Sequence, residues 1–170
     1  MENKGQASAE YLLLLVVILI ILAAVTMPLV GNSISNTMAV STTSDATNAI
    51  KTISDAVNLV YANGPGAKRT VNVYIPQRTT VSNNATAYPD VTLSGNFIGM
   101  NLTNIAGGPY NSPHIMNIAT TDGRSDIFVY ANTNYPVNVI NGANLASGWY
   151  KVTVYWPVGN RTIAVNFSAT

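Results

Sequence analysis

One uninterrupted apolar segment limits the folds that this chain can adopt. No polar side chain occurs from Leu12 to Val25, and the segment reaches Val30 with one threonine and one proline tolerated. A helix of residues 11–30 would be about 30 Å long, which matches the hydrocarbon core of a bilayer. Because the segment is apolar around its whole circumference, it must be covered on every side by lipid or by other helices.

A carboxylate stands at the entrance to this segment. Glu10 directly precedes Tyr11 and the apolar residues, and an ionisable group there is costly in lipid, so we interpret it as functional. An ordinary secretory signal does not explain the region, since Glu2 offsets Lys4 and the apolar segment is long for such a signal. A plain membrane anchor accounts for the hydropathy but leaves Glu10 unexplained.

The residues around Glu10 form a motif. Gln6, Ser8, Glu10 and Leu14 follow Gly5 with the spacing Gln-x-Ser-x-Glu-x-x-x-Leu. This motif resembles the prepilin signal of archaeal type IV pilins, of the type found in methanogens. The resemblance implies that a membrane-embedded prepilin peptidase cuts between Gly5 and Gln6 on the cytoplasmic side, and that the apolar helix stays on the mature protein.

The resemblance also implies an assembly mechanism. Glu10 would be the fifth residue of the mature chain, where its carboxylate would pair with the terminal amine of a neighbouring subunit and set the axial register. An N-terminal glutamine can cyclise, which would leave Glu10 a hydrogen-bond acceptor only. An assembly ATPase and a membrane platform protein would extract the subunit from the cytoplasmic membrane into a homopolymeric extracellular pilus that attaches to surfaces.

The resemblance implies a cleaved leader at residues 1–5, and the apolar pattern predicts a helical region at 6–63 and a β-rich headpiece at 64–170. The helix is expected to run unbroken but bent from about Ala9 to Ala62, with residues 3–8 extended and a kink at Pro28. Its apolar half is 11–30. Its amphipathic half, 34–62, carries Ile50, Ile53, Val57, Val60 and Tyr61 at helical spacing. Asn63-Gly64-Pro65-Gly66 should end the helix.

Beyond Gly66 the apolar period becomes two, which predicts an antiparallel, sandwich-like all-β headpiece and an α+β chain overall. The expected strands lie around Val71–Ile75, Val91–Leu93, Ile127–Val129 and Val137–Val139. A final hairpin should place Tyr150, Val152, Val154 and Trp156 against Ile163, Val165 and Phe167, with Thr162, Ala164 and Asn166 facing outward.

Four N-glycosylation sequons begin at Asn84, Asn101, Asn160 and Asn166, all in the headpiece. In a chain this rich in asparagine, some of them arise by chance. Their position nevertheless favours an exposed extracellular domain that carries N-linked glycans.

The sequence gives little support to other chemistry. A charged fraction of 9% and a net charge of +1 give no indication of a nucleic-acid partner. With no cysteine and the single histidine His114, we expect no metal site, cofactor or catalytic triad. The segment Asp122–Asp126 is better interpreted as a hairpin turn than as a calcium loop. Tyr74, Trp149 and Tyr155 are either an exposed ridge for sugar or surface binding, or packing residues.

Three alternatives stay open beside the structural subunit of an adhesion pilus. Two are related, namely a minor pilin and an archaellum-like filament subunit, although archaellins enter the helix through a different, glycine-rich sequence. The third is a single-pass surface protein that does not polymerise and binds a ligand through its β domain. Such a protein would not need Glu10 or the motif that precedes it.

The processing hypothesis predicts the mature N-terminus. Peptide mass mapping of the chain from its native membrane or surface fraction should find Gln6, or its cyclised form, as the first residue. A mature chain that begins at Met1, or near Ala24, would contradict a prepilin signal.

Overall fold

A computed structural model describes residues 3–84, 93, 95–110 and 112–170, with side chains from residue 9 onward. The chain divides into two compact units, Met1–Met38 and Ala39–Thr170. One helix, α1 (Asn3–Asn63), supplies residues to both units, and the strands all belong to the second. The expected α+β class, a long apolar N-terminal helix followed by β sheets, is confirmed.

The helix begins earlier than predicted. It starts at Asn3 instead of about Ala9, so the expectation of an extended stretch over residues 3–8 is wrong. Lys4, Gln6 and Ala7 are good helix formers, and extending an existing helix adds one hydrogen bond per residue. The helix continues through Pro28, although proline cannot donate to the carbonyl of Ala24 one turn earlier.

The predicted end of the helix is confirmed. Gly64 follows the last helical residue with φ of 84°, and its N–H donates to the carbonyls of Val60 and Tyr61 at 3.2 and 3.1 Å. A left-handed residue at this position satisfies carbonyls that the last turn leaves without partners, and glycine adopts it without steric cost.

The amphipathic half of the helix buries one stripe in the second unit, as predicted. Its buried apolar residues recur at helical spacing, and they are Ala39, Ala46, Ala49, Ile50, Ile53, Ala56, Val57 and Val60. Tyr61, expected in the same stripe, is 40% exposed. Its ring stacks on Tyr135 and Trp156, with centroids 5.2 and 5.8 Å away.

The described strands are β1 (Lys68–Ile75), β2 (Val81–Ser82), β3 (Phe97–Ala106), β4 (Ile115–Thr121), β5 (Arg124–Asn132), β6 (Val137–Ile140), β7 (Gly148–Tyr155) and β8 (Ile163–Ala169). They form two four-stranded sheets, in the orders β1-β7-β8-β6 and β2-β3-β5-β4. The predicted β7–β8 hairpin is antiparallel, as expected. The sheets are not wholly antiparallel, however, because β6 pairs with β8 in parallel. The hairpin leaves one edge of β8 open, and β6 occupies that edge in the same direction.

One hydrophobic cluster joins α1 to both sheets. The first sheet contributes residues such as Val73, Val152 and Val165, the second contributes Met100 and Ile127, and the helix stripe completes the cluster. The alternation predicted for β1, β7 and β8 is confirmed, with one exception. Ala164, expected to face outward, is only 6% exposed, because β8 is an interior strand of its sheet and the residue is small.

Strands β3 and β4 were not predicted. Residues 97–100 of β3 are all buried, so the solvent-facing alternation that marks a surface strand is missing there. Phe97 and Phe128 form a second cluster, with ring centroids 6.2 Å apart and Leu93 packed against them. The strand expected at Val91–Leu93 has its first two residues outside the described part of the chain, and Leu93 itself is not in a strand.

The second cluster depends on a glycine in β3. A Cβ at Gly99 would lie 2.5 Å from two ring atoms of Phe128 and 2.8 Å from the Val129 carbonyl oxygen. We therefore expect Gly99→Ala to lower the free energy of unfolding of the full-length chain in micelles by about 1 to 3 kcal/mol, measured by denaturant titration. As a control, Gly31→Ala meets no atom within 4 Å and should not destabilise the chain. An unchanged midpoint for Gly99→Ala would contradict the packing argument.

Candidate functional site

The first candidate site is a face of the helix in the unit Met1–Met38. Ala9, Glu10, Leu13, Leu14, Val17 and Ile18 line one shallow groove. Residues three and four apart in a helix lie on the same face, so Glu10 and the motif residue Leu14 are neighbours on it. A single carboxylate therefore stands at the end of an otherwise apolar surface.

This surface is uncovered within the chain. Every large apolar side chain from Tyr11 to Val30 is exposed, from 43% at Val16 to 74% at Met27. In the part of the chain that the structure describes, one helix is long and apolar enough to cross a membrane, and its most apolar part is not buried within the chain. Lipid or further helices must cover it, since contact between this apolar surface and water is strongly unfavourable.

The predicted cleavage residues lie in the first turns of α1. Gly5 and Gln6 are the third and fourth residues of the helix, and Ser8 follows in its second turn. The first four N–H groups of a helix have no intrahelical partner. A peptidase that requires an unwound bond between Gly5 and Gln6 therefore disrupts few hydrogen bonds. The side chains of Gln6 and Ser8 lie outside the described part of the structure.

The comparisons with known proteins bear on this region alone. A family model described as Class III signal peptide matches residues 3–29. No curated protein and no solved structure matches the chain. The match shows that residues 3–29 carry a signal of the type IV pilin-like class, which implies processing by a prepilin peptidase. Together with the apolar helix, it fits a membrane-anchored or secreted surface protein.

The four sequon asparagines have different surroundings. Asn160 is exposed in the β7–β8 turn, where its carbonyl accepts a hydrogen bond from the Trp156 Nε1 at 2.8 Å. Asn84 is exposed just beyond β2. Asn101 is half-buried within β3, and its Oδ1 accepts hydrogen bonds from the Thr79 hydroxyl at 3.1 Å and the Thr80 N–H at 3.3 Å.

Asn166 is less accessible than predicted. It lies on the outer side of β8, as expected, but it is half-buried and not freely exposed. The Asn141 side-chain amide donates to its Oδ1 at 3.0 Å. Its strand lies between β7 and β6, so that neighbouring side chains flank it on both sides.

The Asp122-Gly123 turn is confirmed as the connection between β4 and β5. Nearby, Asp126 accepts a hydrogen bond from the Asn104 N–H at 2.8 Å, and Arg124 donates to the Asn104 carbonyl at 3.0 Å.

His114 is exposed, and its ring meets Tyr130 edge to face, with ring centroids 5.9 Å apart. Among the described residues, no three His, Cys, Asp or Glu side chains come together as metal ligands do.

The aromatic ridge is only partly assembled. Tyr74 and Trp149 are opposite each other in the β1–β7 register, with ring centroids 5.5 Å apart. Tyr155 lies at the far end of β7, opposite Lys68. Sequence reasoning missed four polar residues that line a pocket with the first two rings: Asp45, Asn48, Thr52 and Asn72. The helical spacing of the first three was the available signal.

Proposed function

We propose that the chain is the structural subunit of an extracellular archaeal type IV pilus that mediates surface attachment. The observation that carries the proposal is the helix surface of residues 11–30, which is apolar on every side and uncovered by its own chain. The prepilin-type signal at 3–29 explains how such a helix stays on the mature protein. Before assembly, lipid covers the surface, and in the filament, copies of the same helix replace the lipid.

Glu10 is proposed as the register residue. A carboxylate among packed apolar helices is costly unless it is paired. After the cut between Gly5 and Gln6, the terminal amine of a neighbouring subunit would supply the opposite charge. A mispaired register would leave both groups buried without a partner, so the pairing selects one axial offset. If Gln6 cyclises, its lactam N–H donates to Glu10 instead, and the selection rests on a weaker hydrogen bond.

The proposed partners follow from the same class of signal. A prepilin peptidase processes the precursor in the cytoplasmic membrane, and an assembly ATPase and a platform protein then move the subunit into the growing fibre. The proposed role is structural, without catalysis, a cofactor or nucleic-acid binding. The short match at 3–29 also fits a minor pilin or an archaellum-like subunit, and the headpiece would serve each of these. A non-polymerising surface protein leaves Glu10 without a role.

The proposal predicts that Glu10→Ala separates assembly from processing. Cells that make this variant as their only copy should cut it between Gly5 and Gln6, keep it in the membrane and lose at least about 90% of their fibres, because one unpaired buried charge costs several kcal/mol per subunit. Electron microscopy counts the fibres, and mass mapping of the membrane fraction checks the cut.

Glu2→Ala is the matched control, since cleavage removes Glu2 with the leader and fibre number should stay normal. Normal fibres from Glu10→Ala would remove the register role. Complete processing in cells whose wild-type chain forms no fibres would instead favour the non-polymerising surface protein.

We also propose that the headpiece carries N-linked glycans, and the surroundings of the sequons support an order of occupancy. Asn160 and Asn84, both exposed, should be modified in a larger fraction of chains than Asn101 and Asn166. The side chains of the latter two accept hydrogen bonds within the fold. Peptide mass mapping of the mature chain measures the fractions. Thr162→Ala, which keeps Asn160 but destroys its sequon, serves as the control. Higher occupancy at Asn101 than at Asn160 would contradict the order.

A further inference from the structure

A small pocket lies in the unit Ala39–Thr170, between helix residues 45–52 and strands β1 and β7. Its volume is about 220 Å³. The lining residues combine aromatic rings with polar groups, and they are Asp45, Asn48, Ala49, Thr52, Asn72, Val73, Tyr74 and Trp149. Pockets of this mixed character, with an apolar platform and a few convergent polar groups, are typical of small-molecule sites.

The aromatic side of the pocket presents an open ring. Trp149 is 61% exposed and Tyr74 is 37% exposed. Their ring planes are inclined by 56°, so Tyr74 does not cover the indole face as a parallel ring would. The Tyr74 hydroxyl lies 3.4 Å from the Ser147 Oγ, a long contact at the tip of the phenol ring. The two residues form an apolar corner that is partly open to solvent.

Most polar side chains of the pocket are available to bind a ligand. The side chains of Asp45, Asn48 and Asn72 make no hydrogen bond to any other residue that the structure describes. The Thr52 hydroxyl donates to the Asn48 carbonyl at 2.7 Å and keeps its lone pairs. The pocket therefore offers a carboxylate, two primary amides and a hydroxyl, which is a set of both donors and acceptors.

We infer that this pocket binds a neutral saccharide, with one sugar ring against the Trp149 indole. A pyranose has an apolar C–H face and a rim of hydroxyl groups that both donate and accept. The indole matches the face, and Asp45, Asn48 and Asn72 match the rim. The inference goes beyond the proposed function and does not depend on polymerisation, so either can fail without the other.

A quaternary ammonium ion is the competing ligand, because aromatic rings beside a carboxylate also form cation sites. The amide groups distinguish the two. A cation makes no use of N–H donors, and the amides of Asn48 and Asn72 bring donors to the pocket. A hydroxyl-bearing ligand engages both kinds of group, which favours the saccharide.

The test is a titration of the full-length chain in polyoxyethylene-ether micelles, which contain neither a sugar nor a quaternary ammonium group. The probes are the methyl glycosides of glucose, galactose, mannose and N-acetylglucosamine, and tetramethylammonium. Saturation-transfer NMR and tryptophan fluorescence report binding. At least one glycoside should bind, and Trp149→Ala should weaken its binding by about tenfold or more. Asp45→Asn and Asn72→Ala should weaken it as well.

Tyr155→Ala is the matched control, since Tyr155 is an aromatic residue of the same strand at its opposite end. It should leave the dissociation constant unchanged. Because Trp149 and Asn72 are exposed, loss of folding does not explain weaker binding, and circular dichroism of each variant checks this. Binding of no glycoside, or an unchanged constant for Trp149→Ala, would overturn the inference. Tetramethylammonium binding that Asp45→Asn abolishes, without glycoside binding, would overturn it in favour of a cation site.

Discussion

The organisation of this molecule depends on an apolar helix surface that the chain itself cannot cover. From Tyr11 to Val30 the large side chains are exposed around the whole circumference. Burying one Leu, Ile or Val side chain is worth about 1.5 to 3 kcal/mol. The sum over the segment therefore exceeds the free energy that holds a typical small domain together. A surface of this kind is not stable in water, so it must be covered from outside the chain, either by lipid or by another helix. The folded chain is therefore stable only together with a membrane or with other helices.

In its second half, the same helix buries its apolar residues within the chain. From Ala39 onward, small and β-branched residues form one buried stripe, and the hydrophobic cluster of the second unit includes it. The alanines in this stripe allow close approach between the helix and the strands, while Ile50 and Ile53 fill the space between them. The boundary between the two units at residues 38 and 39 lies where the described part of the helix first has a buried side chain, that of Ala39.

The sequence predicted the elements whose signals are local. Gly64 and Pro65 determine where the helix ends, and the alternation of Val152 and Val154 identifies β7. Strand β3 was not predicted because both faces of residues 97–100 are buried, so apolar and polar residues do not alternate there. Only Ile98, Met100 and Leu102 keep the spacing of two that is typical of a strand. The parallel pairing of β6 with β8 has no local signal, since it depends on contacts between strands that are far apart in the chain. The processing residues were predicted from the motif alone. The pocket beside Trp149 could not be predicted, because it also needs Tyr74, which is 75 positions away in the chain.

Hydrogen bonds between neutral groups connect the helix to the end of β5 and the connection after it. Ser54 is buried and its hydroxyl donates to the Asn132 carbonyl at 2.6 Å. One turn later, the Asn58 Oδ1 accepts from the Asn134 N–H at 2.8 Å. Both contacts fix the connection that follows β5, and neither contains an ion. Since salt screens interactions between charges and leaves neutral hydrogen bonds almost unaffected, these contacts keep their strength over a wide range of salinity. In a chain with 9% charged residues and no cysteine, packing and neutral hydrogen bonds of this kind therefore carry the attachment of the helix to the connection after β5.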